Sequence, residues 1–398
     1  LSWFGGDENS ALYRIENVTN GHAPTVTATA DRTSGKAPLR VSFSATGSDA
    51  DGDALTYRWD FGDGTTGTGQ SPRHTYRTNG TYTATVTVTD TSGYTATANV
   101  HVVVGNTAPT VTFQTPADGA LFEFGDTVPF TVKVTDPEDR RIDCSKVTIR
   151  YILGHDSHGH PITSTNGCKG TITAPADSDH DPNANIFGVL DAEYTDNGGG
   201  GQAPLTTHAR IVLQPRQRQA EHFSDQSGIR IHDKPQAHGG RTVGDIHDGD
   251  WISFTPYHLD GARTLTARIS SGGAGGHLEV RSGGPKGTLH GSGVVPVTGS
   301  WETFQDIDIP LSRLPKKTTE LYLVFKGGSG ALFDIDDFTI SDRKPAKNAK
   351  RVLVFSKTAG YRHDSIGTGI QTLKELGAQH GITVDATEEA GQFTTANL

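Results

Sequence analysis

From Thr81 to Asp90 the chain reads Thr-Tyr-Thr-Ala-Thr-Val-Thr-Val-Thr-Asp, a strict two-residue alternation. A strand sends successive side chains to opposite faces, so one face here is apolar and the other is threonine. Such a half-apolar strand needs a second sheet to cover it. The same alternation recurs at Val26–Ala30 and Leu39–Ala45, and short strands with closely spaced turn signals fill most of the chain up to residue 340. The 49 glycines fit a many-turned β protein better than a helical enzyme.

The chain has 398 residues, too many for one sandwich and enough for three or four domains. Its formal net charge is −10, and it has no basic run, which gives no electrostatic case for a nucleic-acid partner. No apolar run approaches the ~18 residues that a membrane span needs. There is no methionine, and the chain opens Leu1-Ser2-Trp3, which reads as part of a larger polypeptide.

Ala23-Pro24 opens a first domain, read as 22–105. Within it Trp59 and Phe61 face one way and can fill an inter-sheet core, while Asp60, Asp63 and Gly64 make a tight polar turn. The motif Trp59-Asp60-Phe61-Gly62-Asp63-Gly64 and the strand Tyr82–Asp90 resemble the PKD repeat, which implies an immunoglobulin-like sandwich acting as a spacer or contact module. Asp49, Asp51 and Asp53 are read as a solvated turn, with Ca²⁺ as the alternative. Upstream, residues 1–20 are read as the tail of a preceding domain. Their segment Ala11-Leu12-Tyr13-Arg14-Ile15-Glu16-Asn17-Val18 resembles the closing strand of the glucose/sorbosone dehydrogenase propeller.

A second Ala-Pro boundary at 108–109 opens residues 107–215, a second immunoglobulin-like sandwich. Cys144 and Cys168 fall inside it; in an extracellular β protein they are expected to form a disulfide, and two buried thiols are the alternative. His155, His158 and His160 lie within six residues, and His180 lies in a later acidic loop. Neutral imidazoles suit Zn²⁺ or Cu²⁺, and a polar loop with internal hydrogen bonds is the default reading. Gly198–Gly201 reads as a flexible tip.

Residues 216–342 run from Gln219-Ala220-Glu221 to Leu332-Phe333-Asp334-Ile335-Asp336-Asp337-Phe338, with Asp248-Gly249-Asp250-Trp251 and a Gly-Ser-Trp301 loop between. This ordered set resembles the family 6 carbohydrate-binding modules, which implies a jelly-roll sandwich and a carbohydrate partner. The resemblance places a structural Ca²⁺ at Gln219, Glu221 and Asp336. It also gives Trp301 as one aromatic wall of a sugar cleft. Asp245 stands where the second aromatic is usual, and Asp334 stands where an Asn is usual. Trp251 and Phe254 are read as core.

Past a basic linker, Arg351–Phe355 reads as a parallel-type strand, and Ile366, Ile370, Leu373 and Leu376 recur at helical spacing, with Gly377 or Gly381 to end the helix. With Gly360-Tyr361-Arg362-His363-Asp364-Ser365-Ile366, residues 350–398 resemble the start of a ThuA-like (trehalose utilisation) domain, a truncated flavodoxin-like α/β fragment. The fold class is therefore mainly β: three consecutive β-sandwiches plus this fragment. The implied function is a non-catalytic carbohydrate-binding segment of a secreted bacterial protein, which keeps an attached enzyme near polysaccharide or oligosaccharide. Two alternatives stay open. One is a structural or adhesive spacer chain; the other is a fragment of a sugar-oxidising or ThuA-like enzyme whose catalytic parts lie outside residues 1–398.

Overall fold

The computed structural model describes residues 2–4, 11–13, 21–139, 141–155, 158–175, 184–343, 350–363, 365–379 and 382–388. His180 and most of the 1–20 tail lie outside the described residues, apart from the short strands Ser2–Phe4 and Ala11–Tyr13, which pair antiparallel. The protein is mainly β, as its alternating segments demand.

In the first sandwich, a sheet of Ser34–Gly35, Thr95–Val104, Gly80–Thr89, Thr56–Asp60 and Thr66–Thr68 faces one of Thr25–Ala30, Leu39–Ser48 and Arg73–Tyr76. Trp59 and Phe61 are buried, with Phe43 between the sheets at 5.1 and 5.5 Å from their rings. The polar turn that follows is held by its own carboxylates: Asp60 accepts from the Gly62 amide and Asp63 from the Thr65 amide. Tyr76 donates from its buried hydroxyl to the Phe61 carbonyl. Asp49 accepts from the amides of Asp51 and Asp53, and Asp51 pairs with His22, so these aspartates build a turn.

The second sandwich sets Thr110–Thr115, Thr127–Thr135 and Lys169–Thr173 against a sheet of Ala120–Phe122, Thr206–Pro215, Ile186–Thr195, Thr148–His155 and His158–Asn166. A Cys144–Cys168 disulfide closes a loop beside this core. Gly198–Gly201 corrects the expectation of a free tip. A Cβ on Gly200 would lie 2.7 Å from the Gly105 carbonyl oxygen, and one on Gly199 would lie 3.1 Å from it. Lacking side chains, these glycines let the turn dock on the first domain, where Asn79 donates to the Gly200 carbonyl. Buried Asn106 donates to both Asp196 oxygens across the same junction.

The third sandwich is joined to the second without a slack linker. Thr206–Pro215 leads through Arg216, whose amide donates to Phe122 and whose carbonyl accepts from Ile340. One sheet runs Arg230–Asp233, Arg241–Gly244, Asp334–Ser341, Thr264–Ser270, Phe304–Pro310, with Gln217–Gln219 also on Asp334–Ser341. The other runs Asp225–Ser227, Trp251–Tyr257, Thr319–Lys326, Gly276–Ser282, Thr288–Val295. Phe254 lies in the core between them, as expected. Trp251 does not: it is odd-numbered against Ile252 and Phe254, so strand parity sends it to the outer face, where it packs on Tyr322 at 5.3 Å.

At the C-terminal end, Lys350–Phe355 and Ile382–Thr387 pair in parallel beside the helix Ser365–Gln379. Gly377 sits inside this helix rather than ending it, and Gly381, the other expected stop, lies outside the described residues. Its missing Cβ makes room for the Ile382 carbonyl, which a Cβ would approach to 2.6 Å. Leu373, Leu376, Val352 and Phe355 remain exposed among the described residues.

Gly119 gives a test of the joint between the second and third sandwiches. It has φ 81°, its carbonyl accepts from the His258 amide, and a Cβ there would lie 2.7 Å from the Pro256 carbonyl carbon and the Tyr257 nitrogen. Gly125 has φ 101° with open space around it. Gly125→Ala should therefore carry backbone strain alone, about 1 kcal/mol, while Gly119→Ala adds a backbone clash and should lose at least about 2 kcal/mol. Thermal unfolding of the two variants side by side checks this; equal losses would mean that the joint yields freely.

Candidate functional site: a buried carboxylate cluster and a charged patch beside Trp301

The first and last strands of the third sandwich pair antiparallel, with Gln219 opposite Asp337, and the Ala220 amide donates to the Asp336 carbonyl at 2.8 Å. Backbone pairing alone therefore gathers Gln219, Glu221 and Asp336 at one end of the sheet. Asp336 is fully buried and Glu221 is buried at 9% exposure. Asp336 Oδ2 accepts from Arg268 Nε at 2.8 Å and from the His238 amide at 3.0 Å. Asp336 Oδ1, both Glu221 carboxylate oxygens and Gln219 Oε1 are buried with no hydrogen-bond donor among the described residues. Buried oxygens without donors are costly, so four in one place call for compensation. Neighbouring Asp337 is also buried, and its Oδ2 holds His238 Nδ1 at 2.7 Å.

The electrostatics follow from that burial. Desolvation pushes the Glu221 carboxyl up to about 7 from its ordinary 4.5. It raises Asp336 as well, and the nearby Asp337 charge adds to the rise. The hydrogen bond to Asp337 raises His238. All three shifts favour proton uptake: burial outweighs the Arg268 contact at Asp336, and the Asp337 carboxylate holds the proton on His238. The donor set is all oxygen, with two carboxylates and an amide on adjacent strands. It fits a hard divalent cation such as Ca²⁺, with backbone carbonyls completing the shell.

The second site begins at Trp301. Its ring lies along the Gly272–Gly273 backbone: a Cβ on Gly272 would sit 2.7 Å from Trp301 Nε1, and one on Gly273 2.9 Å from Cη2. The Trp301 carbonyl accepts from Ser270 Oγ and from Lys234 Nζ, each at 2.8 Å. Buried Lys234 also pairs with Asp334 Oδ2, and its ammonium stands 5.9 Å from the Trp301 ring centre. Burial raises Asp334, and the bond from Lys234 opposes the rise. Next along, Gly244 must lack a Cβ because one would touch Asp334 Oδ1 and His232 Cδ2, each at 2.7 Å. Asp245, at φ 55°, lies 3.4 Å from His232 and 3.6 Å from Arg230.

The structure thus brings Asp245, Asp334 and Trp301 into one neighbourhood, and Gln219, Glu221 and Asp336 into another. Lys234, His232 and Arg230 were missed by sequence reasoning. Part of the signal was present: residues 230 and 232 alternate along the strand Arg230–Asp233 and share a face, and Lys234 follows directly after it. His155, His158 and His160 sit far off, on the second sandwich.

Three segments match family models: residues 219–342 match the carbohydrate binding module (family 6), 21–104 the PKD domain and 351–398 trehalose utilisation (ThuA). An arabinoxylan arabinofuranohydrolase of Paenibacillus polymyxa is 34% identical over 125 residues, covering 30% of this chain and 19% of that protein. A microbial collagenase of Vibrio alginolyticus is 42% identical over 88 residues, covering 22% of this chain and 11% of that protein. The chain therefore spans less than a fifth of either curated relative. A solved family 6 carbohydrate-binding module from Clostridium cellulolyticum, in complex with xylose, is 36% identical and covers 31% of this chain and 95% of that one, with a TM-score of 0.30.

The raised carboxyls set a pH dependence. A carboxyl raised above its unfolded value contributes stability that is complete below that value and is lost as pH rises through the folded one. In EDTA, the Glu221 contribution should fall away between pH 4.5 and about 7. Glu221→Gln should flatten the melting-temperature profile in that window and raise stability at its upper end. A variant profile parallel to wild type would remove Glu221 as the source.

Proposed function

Because residues 219–342 belong to the family 6 carbohydrate-binding modules, residues 21–104 to the PKD domains and residues 351–398 to the trehalose-utilisation family, we propose that this chain is a carbohydrate-binding, multi-domain segment of an extracellular protein. The module holds a sugar against Trp301, and the sandwiches before it hold the module at a fixed distance from whatever they join. Tethering raises effective concentration, so a weak sugar site is enough to keep an attached enzyme near its substrate. The observation that carries the reading is Trp301, half-buried and laid on two glycines beside a polar cluster of Lys234, Asp334 and Asp245. Aromatic faces stack on the apolar CH face of a sugar ring, and its hydroxyls need polar partners at the rim. The match to an arabinoxylan arabinofuranohydrolase supports a polysaccharide ligand. The Cys144–Cys168 disulfide supports an oxidising compartment, and no helix among the described residues is long and apolar enough to cross a membrane.

Ca²⁺ is part of this proposal. Gln219, Glu221 and Asp336 would hold it, and it would supply fixed positive charge that ties the first strand of the module to the last. Ca²⁺ should raise the melting temperature, and more so toward pH 8, where protons no longer compete for Glu221.

The test is a glycan-array screen of the whole chain in Ca²⁺, followed by titration of the best ligand. Trp301→Ala should weaken binding at least about tenfold, the scale of a lost stacking contact. Trp251→Ala is run beside it, since Trp251 and Tyr322 form a separate aromatic pair on the outer sheet face. Loss in Trp251→Ala with Trp301→Ala unaffected would move the site to that face. A folded chain that retains no glycan would leave the spacer reading in its place.

A further inference from the structure

On the second sandwich, far from the sugar cleft, three imidazoles converge. The strands Thr148–His155 and His158–Asn166 form a hairpin in which His155 stands opposite His158, and Leu153 opposite His160. Paired residues share a face, and so do residues two apart. All three histidines therefore project from the side of the sheet that carries buried Ile149, Tyr151 and Leu153. Where the core ends at Leu153, imidazoles replace aliphatic side chains. One ring nitrogen from each of the three lies within 4.8 Å of the others. His155 Nε2 and His160 Nε2 are 3.1 Å apart, and the rings of His155 and His158 have centroids 3.8 Å apart. His155 is half-buried, whereas His158 and His160 are exposed.

We propose that His155, His158 and His160 form a binding site for a late first-row divalent cation, Cu²⁺ or Zn²⁺. Metal–nitrogen bonds of ~2.0–2.1 Å place ligand nitrogens about 2.9 Å apart at a right angle and about 3.3 Å apart in a tetrahedron. The 3.1 Å separation of the two Nε2 atoms falls between these. Two such nitrogens facing each other need a proton or a cation between them, since opposed lone pairs repel. A neutral three-imidazole set suits Cu²⁺ and Zn²⁺ and excludes Ca²⁺ and Mg²⁺, which take oxygen. Three protein ligands leave a coordination position open on the solvent side, where His158 and His160 are exposed. Gly154 and Gly159 form the hairpin pair between the histidines. A Cβ on Gly154 would meet the Phe187 ring at 2.4 Å, so the backbone is drawn tightly onto its neighbours there. The site thus rests on a packed sheet rather than on a loose loop.

The test uses the full chain without a polyhistidine tag, stripped with EDTA and titrated with Zn²⁺ and Cu²⁺ separately in excess Ca²⁺, which occupies oxygen sites. One equivalent should bind, Cu²⁺ tighter than Zn²⁺, and the Cu²⁺ electron paramagnetic resonance spectrum should show coupling to imidazole nitrogens. His158→Gln and His160→Gln alter exposed side chains and should melt in EDTA as the wild type does. Each should weaken both metals by more than about 10–100-fold, the loss that outer-shell changes alone produce. Wild-type protein that binds neither ion, or variants that bind both as tightly as wild type, would overturn the site.

Discussion

The pairing of Gln217–Gln219 with Asp334–Ser341 closes the third sandwich, and much of its chemistry depends on that closure. A jelly-roll domain ends where it began, so its two terminal strands must find each other after more than a hundred residues of chain. Once they pair, Gln219, Glu221 and Asp336 are placed by backbone register, whatever their side chains prefer. Hydrophobic burial from Phe254, Phe338, Ile335 and their neighbours drives the closure and carries the carboxylates in with it. Arg268 and the His238 amide satisfy one oxygen of Asp336, and the other buried oxygens have no hydrogen-bond donor among the described residues. The other end of the strand Asp334–Ser341 receives Arg216, the residue that follows the last strand of the second sandwich, at Ile340. One strand therefore carries the carboxylate cluster toward its start and the joint toward its end.

The joints between sandwiches share one device. Each combines close approach at glycine with hydrogen bonds from polar side chains, and at the joint of the second and third sandwiches Leu121 also packs on the core of the third. Gly119 lets the second domain approach Pro256 and Tyr257, Asp118 accepts from Thr318, and Gln214 donates to the Pro256 carbonyl. At the other joint, Gly199 and Gly200 approach Gly105, while Asn106 bridges to Asp196. Directional bonds fix an angle better than an apolar contact of equal size, because they weaken steeply when misaligned. A chain built this way keeps its domains in register, which suits a spacer that presents a binding face.

Much of this was legible from period and composition. The alternation at Thr81–Asp90 gives a strand with Ala84, Val86 and Val88 inward, and the Trp59–Phe61 pair gives the first core. The expected Cys144–Cys168 bridge is present. What was misread shares a physical cause: a residue's type says less than its parity or its neighbours. Trp251 is large and apolar, yet strand parity with buried Ile252 and Phe254 sends it outward. Gly377 looks like a helix stop, yet a strand crossing close to the helix needs a residue without a side chain there. Gly198–Gly201 looks slack because glycine runs are slack when nothing packs on them, and here Gly105 and Asn79 do. Lys234 was invisible because its partners, Asp334 and the Trp301 carbonyl, lie 100 and 67 residues away.

Lys234 also bears on how the Trp301 loop is held. A buried ion pair returns little net stability, because desolvating two charges offsets their attraction. Replacing Lys234 and Asp334 together by apolar residues would cost the fold little, so stability alone is a poor reason to keep them. Their geometry offers another. Lys234 spends its ammonium on the Trp301 carbonyl and on Asp334, and so fixes the backbone of the loop that presents the indole. Trp301 is then held from below by Gly272 and Gly273 and from behind by Lys234. A ring held in place before binding loses little entropy when a ligand stacks on it. The ion pair thus holds the loop by charge, while Asp245 and Arg230 pair with each other at the exposed surface.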